Sequence, residues 1–109
     1  MKNILLQVKN HIAYVTLNRP DVLNCFNFET LVELGEVVDH IKHHQDVRVV
    51  IFTGAGEKAF SAGADLKERK NLPESDVRRN VKEIRDVFQA IAELPQPTIA
   101  AINGFAFGG

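Results

Sequence analysis

The 109-residue sequence has a single cysteine, Cys25, so an internal disulfide is excluded and a reducing compartment is the expected setting. It has no dominant charge: thirteen lysines and arginines face fourteen aspartates and glutamates, a formal net charge of −1. That balance favours neither a nucleic acid nor an anionic membrane as partner. No run approaches the roughly 18 apolar residues of a membrane span, and the N-terminal MKNILLQVKNH has no signal-peptide h-region. Low-complexity tracts, internal repeats and domain linkers are also lacking. With 45% apolar and 25% charged residues, the composition is that of one folded, soluble, intracellular domain, cytoplasmic or in an organelle matrix.

Several chemistries lack their residues. The loop GAGEKAF at 54–60 has neither a Gly-Lys-Ser/Thr ending nor a G-x-G-x-x-G pattern, which argues against a nucleotide-phosphate loop. His40 and His44 sit at i, i+4, but no H-E-x-x-H arrangement surrounds them. An exposed helix C-terminus, where histidine complements the dipole, explains them better. Cys25 has no base near it in sequence and reads as a small buried side chain.

What is present is an α/β pattern. Residues 4–8 and 12–17 are short β-rich runs around the polar turn 9–11, a hairpin closed off by Pro20. Leu31, Leu34, Val38 and Ile41 mark one face of a helix over 28–44, with Asn27 as N-cap. The apolar run 47–52 predicts a strand covered on both faces. Residues 54–64 read as a loop, and a helix carrying Val77, Val81, Ile84, Phe88 and Ile91 follows, capped by Ser75. Residues 98–102 read as a second buried strand. The order hairpin, helix, strand, loop, helix, strand implies an α/β layer.

Charge is uneven along the chain. Residues 21–46 hold six acids and one base, whereas 67–85 hold seven bases and four acids. The basic stretch reads as a solvated helix face, with Lys67 a candidate ligand contact. The uncharged stretch 98–109, TIAAINGFAFGG, includes Ile99, Ile102, Phe105 and Phe107, which read as core. Domains commonly end in polar, exposed residues, so the chain is expected to be a piece cut inside an element.

Two segments, AFSAGADLKE at 59–68 and TIAAINGFAFGG at 98–109, put small residues in sharp loops after strands. Backbone N–H groups left unpaired at two such turns can converge on one oxygen, forming an oxyanion hole from geometry alone.

Asn18-Arg19-Pro20 with Asn24 and Asn27, FSAGADLKE, and PTIAAINGFAFGG together resemble the enoyl-CoA hydratase/isomerase (crotonase) superfamily over the whole chain. The resemblance is to its hydratases, including the methylglutaconyl-CoA type. It implies the N-terminal part of a spiral of ββα units and an acyl-CoA thioester as substrate. No separate cofactor is implied, coenzyme A being part of the substrate, and the full-length protein would assemble as a homotrimer or hexamer. By motif position the oxyanion donors fall on the N–H groups of Ala64 and Gly109. Asp65, Leu66 and Lys67 would line the CoA and acyl channel, with Lys67 near phosphate. Val22, Leu23 and Ala62 would flank the adenine and pantetheine portions, and Phe105, Phe107 and Gly108 complete the expected substrate contacts. RNA binding, known in some members of the methylglutaconyl type, is not the expected role. The two glutamates that serve hydratases as general acid and base would lie beyond Gly109. Glu57, Asp65 and Glu68 do not occupy those positions, so the chain by itself is expected to be inactive.

Overall fold

The computed structural model describes residues 3–108. The chain opens with strands β1 (Ile4–Lys9) and β2 (Ile12–Leu17), an antiparallel pair in register from Ile4–Leu17 to Lys9–Ile12. Asn10 and His11 join them with φ of 52° and 68°. Two left-handed residues in a row match the twist of a two-residue hairpin. A short 3-10 turn over Pro20–Val22 leads to helix α1 (Phe28–Lys42). As expected, the Asn27 side chain caps α1, accepting from the Thr30 N–H at 2.8 Å. Leu31, Leu34, Val38 and Ile41 are all buried.

Strand β3 (Val49–Gly54) pairs parallel with β2, and β5 (Thr98–Ala100) pairs parallel with β3, giving the sheet order β1-β2-β3-β5. β3 was expected to be covered on both faces. Instead Val50, Phe52 and Gly54 are buried while Val49, Ile51 and Thr53 are half-buried, because α1 and its neighbours pack on one side only. The core gathers Val15, Leu17, Phe26, Leu34, Ile41 and Val50.

Between β3 and β5 lie strand β4 (Ala59–Ser61), helix α2 (Leu66–Lys70) and helix α3 (Glu74–Ala92). β4 pairs parallel with β6 (Phe105–Ala106) in a second, two-stranded sheet. The structure corrects several expectations. Residues 54–64 are not all loop, since 59–61 form β4. Helix α3 starts after Pro73, and Ser75 lies inside its first turn rather than capping it. Val81 is exposed, and Val87 joins Ile84, Phe88 and Ile91 against the core. Phe88 meets Phe26 edge-on at 5.4 Å.

The second strand is three residues long, not five, and is not buried. Ile99, Ile102, Phe105 and Phe107 are 52–61% exposed. Among the described residues nothing covers the outer side of β5 or the far face of β6, so side chains of core character lie open. Phe105 and Phe107 stack on each other at 5.7 Å.

Candidate functional site

The end of β2, the start of β4 and the turn after it meet around Asn24, which is 2% exposed. Its Oδ1 accepts from the Arg19 N–H at 2.7 Å, and its Nδ2 donates to the carbonyls of Ala55 and Ala59 at 3.0 and 2.9 Å. The Asn24 carbonyl accepts from the Ser61 hydroxyl at 2.9 Å, and that hydroxyl oxygen accepts from the Gly63 N–H at 3.1 Å. Leu23 and Asn24 both hold left-handed backbone, at φ of 57° and 55°. Asparagine tolerates that conformation; leucine does not favour it. The Leu23 carbonyl, accepting from the Ala62 N–H at 2.9 Å, ties the strained turn to the segment after β4.

Asn103 clasps the same region from the other side. Its side chain accepts from the Gly54 N–H at 3.2 Å and donates to the carbonyls of Gly54 and Gly56 at 2.8 and 3.1 Å. Two asparagines therefore fix the 54–59 loop by its own backbone groups, bonding the carbonyls of Gly54, Ala55, Gly56 and Ala59.

At the next step Phe26 and Ala64 form a parallel bridge. The Phe26 N–H donates to the Gly63 carbonyl at 2.7 Å, and the Asp65 N–H donates to the Phe26 carbonyl at 2.8 Å. In a parallel bridge the central residue's own N–H points away from the paired strand. Ala64 is that residue, and among the described residues no acceptor is bonded to its N–H. Gly63, at φ of 87°, sits against the 105–108 segment, and the Phe107 N–H donates to the Ser61 carbonyl at 2.9 Å. Residues 61–65 and 105–108 are thus adjacent. Gly109 follows directly and lies outside the described residues.

Asp65 is engaged rather than free. Its Oδ1 caps α2 by accepting the N–H groups of Lys67 and Glu68, both at 3.1 Å, and its Oδ2 pairs with Arg19 Nη1 at 3.3 Å. Burial acts upward on this carboxyl, but the Glu68 N–H and the Arg19 guanidinium together hold it below the ordinary carboxylate range. Arg19 Nη1 also donates to the Cys25 carbonyl at 2.8 Å and lies 3.5 Å from its sulfur. Cys25 is half-buried, and burial followed by the Asp65 charge pushes its thiol up. A raised thiol is the opposite of an activated nucleophile.

The other expected residues lie in several places. Leu23 meets Ala62 through its carbonyl, with Val22 beside it in the strained turn, while Leu66 and Lys67 lie in the first turn of α2 and are exposed. Phe107 and Gly108 instead line an apolar cleft of about 370 Å³ with Phe26, Phe52, Phe88 and Ile99. Phe105 stacks on Phe107 outside that cleft. His40 and His44 are edge-on at 5.5 Å near the end of α1. Among the described residues no three His, Cys, Asp or Glu side chains are grouped to hold a metal ion. The basic stretch is paired locally: Arg78 with Glu74, Arg79 with Asp76 and Glu83, and Lys82 with Asp86. Among the described residues no helix is long and apolar enough to cross a membrane.

Sequence reading gave no role to Arg19, Ser61 or Asn103. Each is a polar residue beside a glycine- or proline-bearing turn, which is the one local signal of such a clasp.

Comparison with known proteins adds an independent line. Residues 7–109 match the enoyl-CoA hydratase/isomerase family. YngF of Bacillus subtilis is 49% identical over 108 residues, covering 98% of this chain and 42% of YngF. The short-chain-enoyl-CoA hydratase of Clostridium acetobutylicum is 42% identical over 109 residues, covering 100% of this chain and 42% of that enzyme. The crystal structure of an enoyl-CoA hydratase from Bacillus anthracis superposes with a TM-score of 0.93 at 45% identity, covering 96% of this chain and 41% of that one. The chain thus spans about two fifths of the length of these relatives.

Proposed function

The chain belongs to the enoyl-CoA hydratase/isomerase family, and from that premise we propose that it is the N-terminal portion of an enzyme adding water to the double bond of a 2-enoyl-CoA. The observation that carries this reading is the Ala64 N–H, turned away from Phe26 by the bridge and left without an acceptor. When water attacks the β-carbon, negative charge moves onto the thioester oxygen. A fixed N–H aimed at that oxygen is worth more to the enolate-like transition state than to the ground state, so it accelerates the step. Gly109, which the family motif marks and which lies outside the described residues, is the second donor in this reading.

Coenzyme A enters as part of the substrate. Lys67, exposed on the first turn of α2, is the cation placed for its phosphates. Val22, Leu23 and Ala62 face its adenine and pantetheine, and the apolar cleft beside Phe107 and Gly108 takes apolar parts of the ligand. Groups acting as general acid and base on water come from sequence beyond Gly109, so these 109 residues alone do not turn over substrate. The full-length enzyme is a homotrimer or hexamer in this reading. An isomerase would use the same two donors; similarity to proteins named as hydratases, such as that of Clostridium acetobutylicum, supports hydration.

The test is hydration of crotonyl-CoA by the full-length protein, read as loss of the conjugated-enoyl absorbance. Ala64→Pro deletes the N–H and is expected to cost about 10²–10³ in kcat, while Ala64→Ser stays near wild type. Near-wild-type rates in a folded Ala64→Pro variant would remove Ala64 from the site.

A further inference from the structure

We propose that Arg19 is a positioning residue for the Ala64 N–H, acting on it through two linked peptide units; this rests on the oxyanion role given to Ala64 above. A trans peptide is a rigid plane in which C=O and N–H point in opposite directions. Fixing the carbonyl of such a unit therefore aims its N–H. Arg19 Nη1 fixes the Cys25 carbonyl at 2.8 Å. The other end of that same peptide is the Phe26 N–H, which reaches the Gly63 carbonyl at 2.7 Å. The other end of the Gly63 carbonyl's peptide is the Ala64 N–H. The guanidinium, two peptide planes and the unpaired donor form one continuous line.

The line carries charge as well as direction. A cation bonded to the first carbonyl draws electron density along the amides and strengthens each N–H further along as a donor. Bulk water would cancel much of this effect, but the Arg19 side chain is only 16% exposed. Asp65 Oδ2, at 3.3 Å from the same nitrogen, holds the guanidinium in place from the residue that follows Ala64. The head of the line is thus pinned to both sides of the bridge. Neither the side chain of Phe26 nor that of Ala64 takes part, so the arrangement is invisible to side-chain reasoning.

The test compares Arg19→Gln and Arg19→Lys with wild type in the full-length protein. The readouts are kcat, KM and the infrared band of a bound 2-enoyl-CoA carrying ¹³C at its thioester carbonyl. Wild type is expected to shift that band to lower frequency on binding. Arg19→Gln should move the band back toward its free position and lower kcat by about tenfold, a fraction of the loss on deleting a donor outright, with KM within about twofold. Arg19→Lys, which keeps a cationic donor, should fall between the two. A folded Arg19→Gln with wild-type band and kcat overturns the proposal. If Arg19→Gln does not fold, Arg19→Lys decides alone, and an unmoved band overturns it. Absence of any shift in wild type would instead contradict the oxyanion reading beneath it.

Discussion

Gly63 and Phe107 approach so closely that a Cβ on the glycine would lie 2.9 Å from the Phe107 carbonyl oxygen. Gly63 also holds φ at 87°, a conformation that L side chains pay about 1–2 kcal/mol to adopt. Conformation and space both exclude a side chain where the two loops of the site touch. Gly63→Ala is therefore expected to destabilise the protein by about 2 kcal/mol or more. Urea unfolding should show a lower midpoint with an unchanged slope. An unchanged midpoint would mean that the two loops separate freely.

Asn24 is buried and gives both amide hydrogens to carbonyls. Asn24→Ala leaves the Ala55 and Ala59 carbonyls and the Arg19 N–H short of partners, at an expected cost of about 2–4 kcal/mol. Asn24→Asp should be at least as damaging, since a carboxylate would then face those two carbonyls. Denaturant unfolding of the two variants checks this, and a loss under about 0.5 kcal/mol for both would contradict it.

Asp65 sets an acid dependence of known sign. Its carboxyl lies below the ordinary range in the folded protein, so the unfolded chain binds its proton more readily. The stability it contributes is complete above the ordinary carboxylate value of about 4 and is lost as pH falls through the lowered native value. Asp65→Asn keeps a capping oxygen but cannot titrate, so its unfolding midpoint should fall less steeply between about pH 5 and pH 2. Parallel pH slopes for the two proteins would place the acid sensitivity elsewhere.

The fold was legible where periodicity spoke and hidden where long-range pairing decided. Helix α1 and its Asn27 cap follow from the spacing of Leu31, Leu34, Val38 and Ile41, and the hairpin from two β-rich runs around Asn10 and His11. Strands β4 and β6, three and two residues long, are too short for a pattern and exist only because they pair with each other across the chain. The carboxylate of Asp65 is engaged by Arg19, 46 positions away. No local signal announces a partner at that distance. Phe105 and Phe107 were read as core from their chemistry alone, and chemistry does not say which neighbours lie beside them.

The central claim is that the Ala64 N–H binds the thioester oxygen of an acyl-CoA. It is tested most directly by replacing the Gly63–Ala64 amide with an ester in the full-length protein, which removes that one N–H and leaves the Ala64 side chain intact. Affinity is then compared for an acyl-CoA thioester and for the matching S-alkyl thioether, which has no carbonyl oxygen. The native protein should prefer the thioester, and the ester-substituted protein should lose most of that preference while binding the thioether as before. An undiminished preference for the thioester in the ester-substituted protein would show that the oxygen is held elsewhere, and would contradict the account.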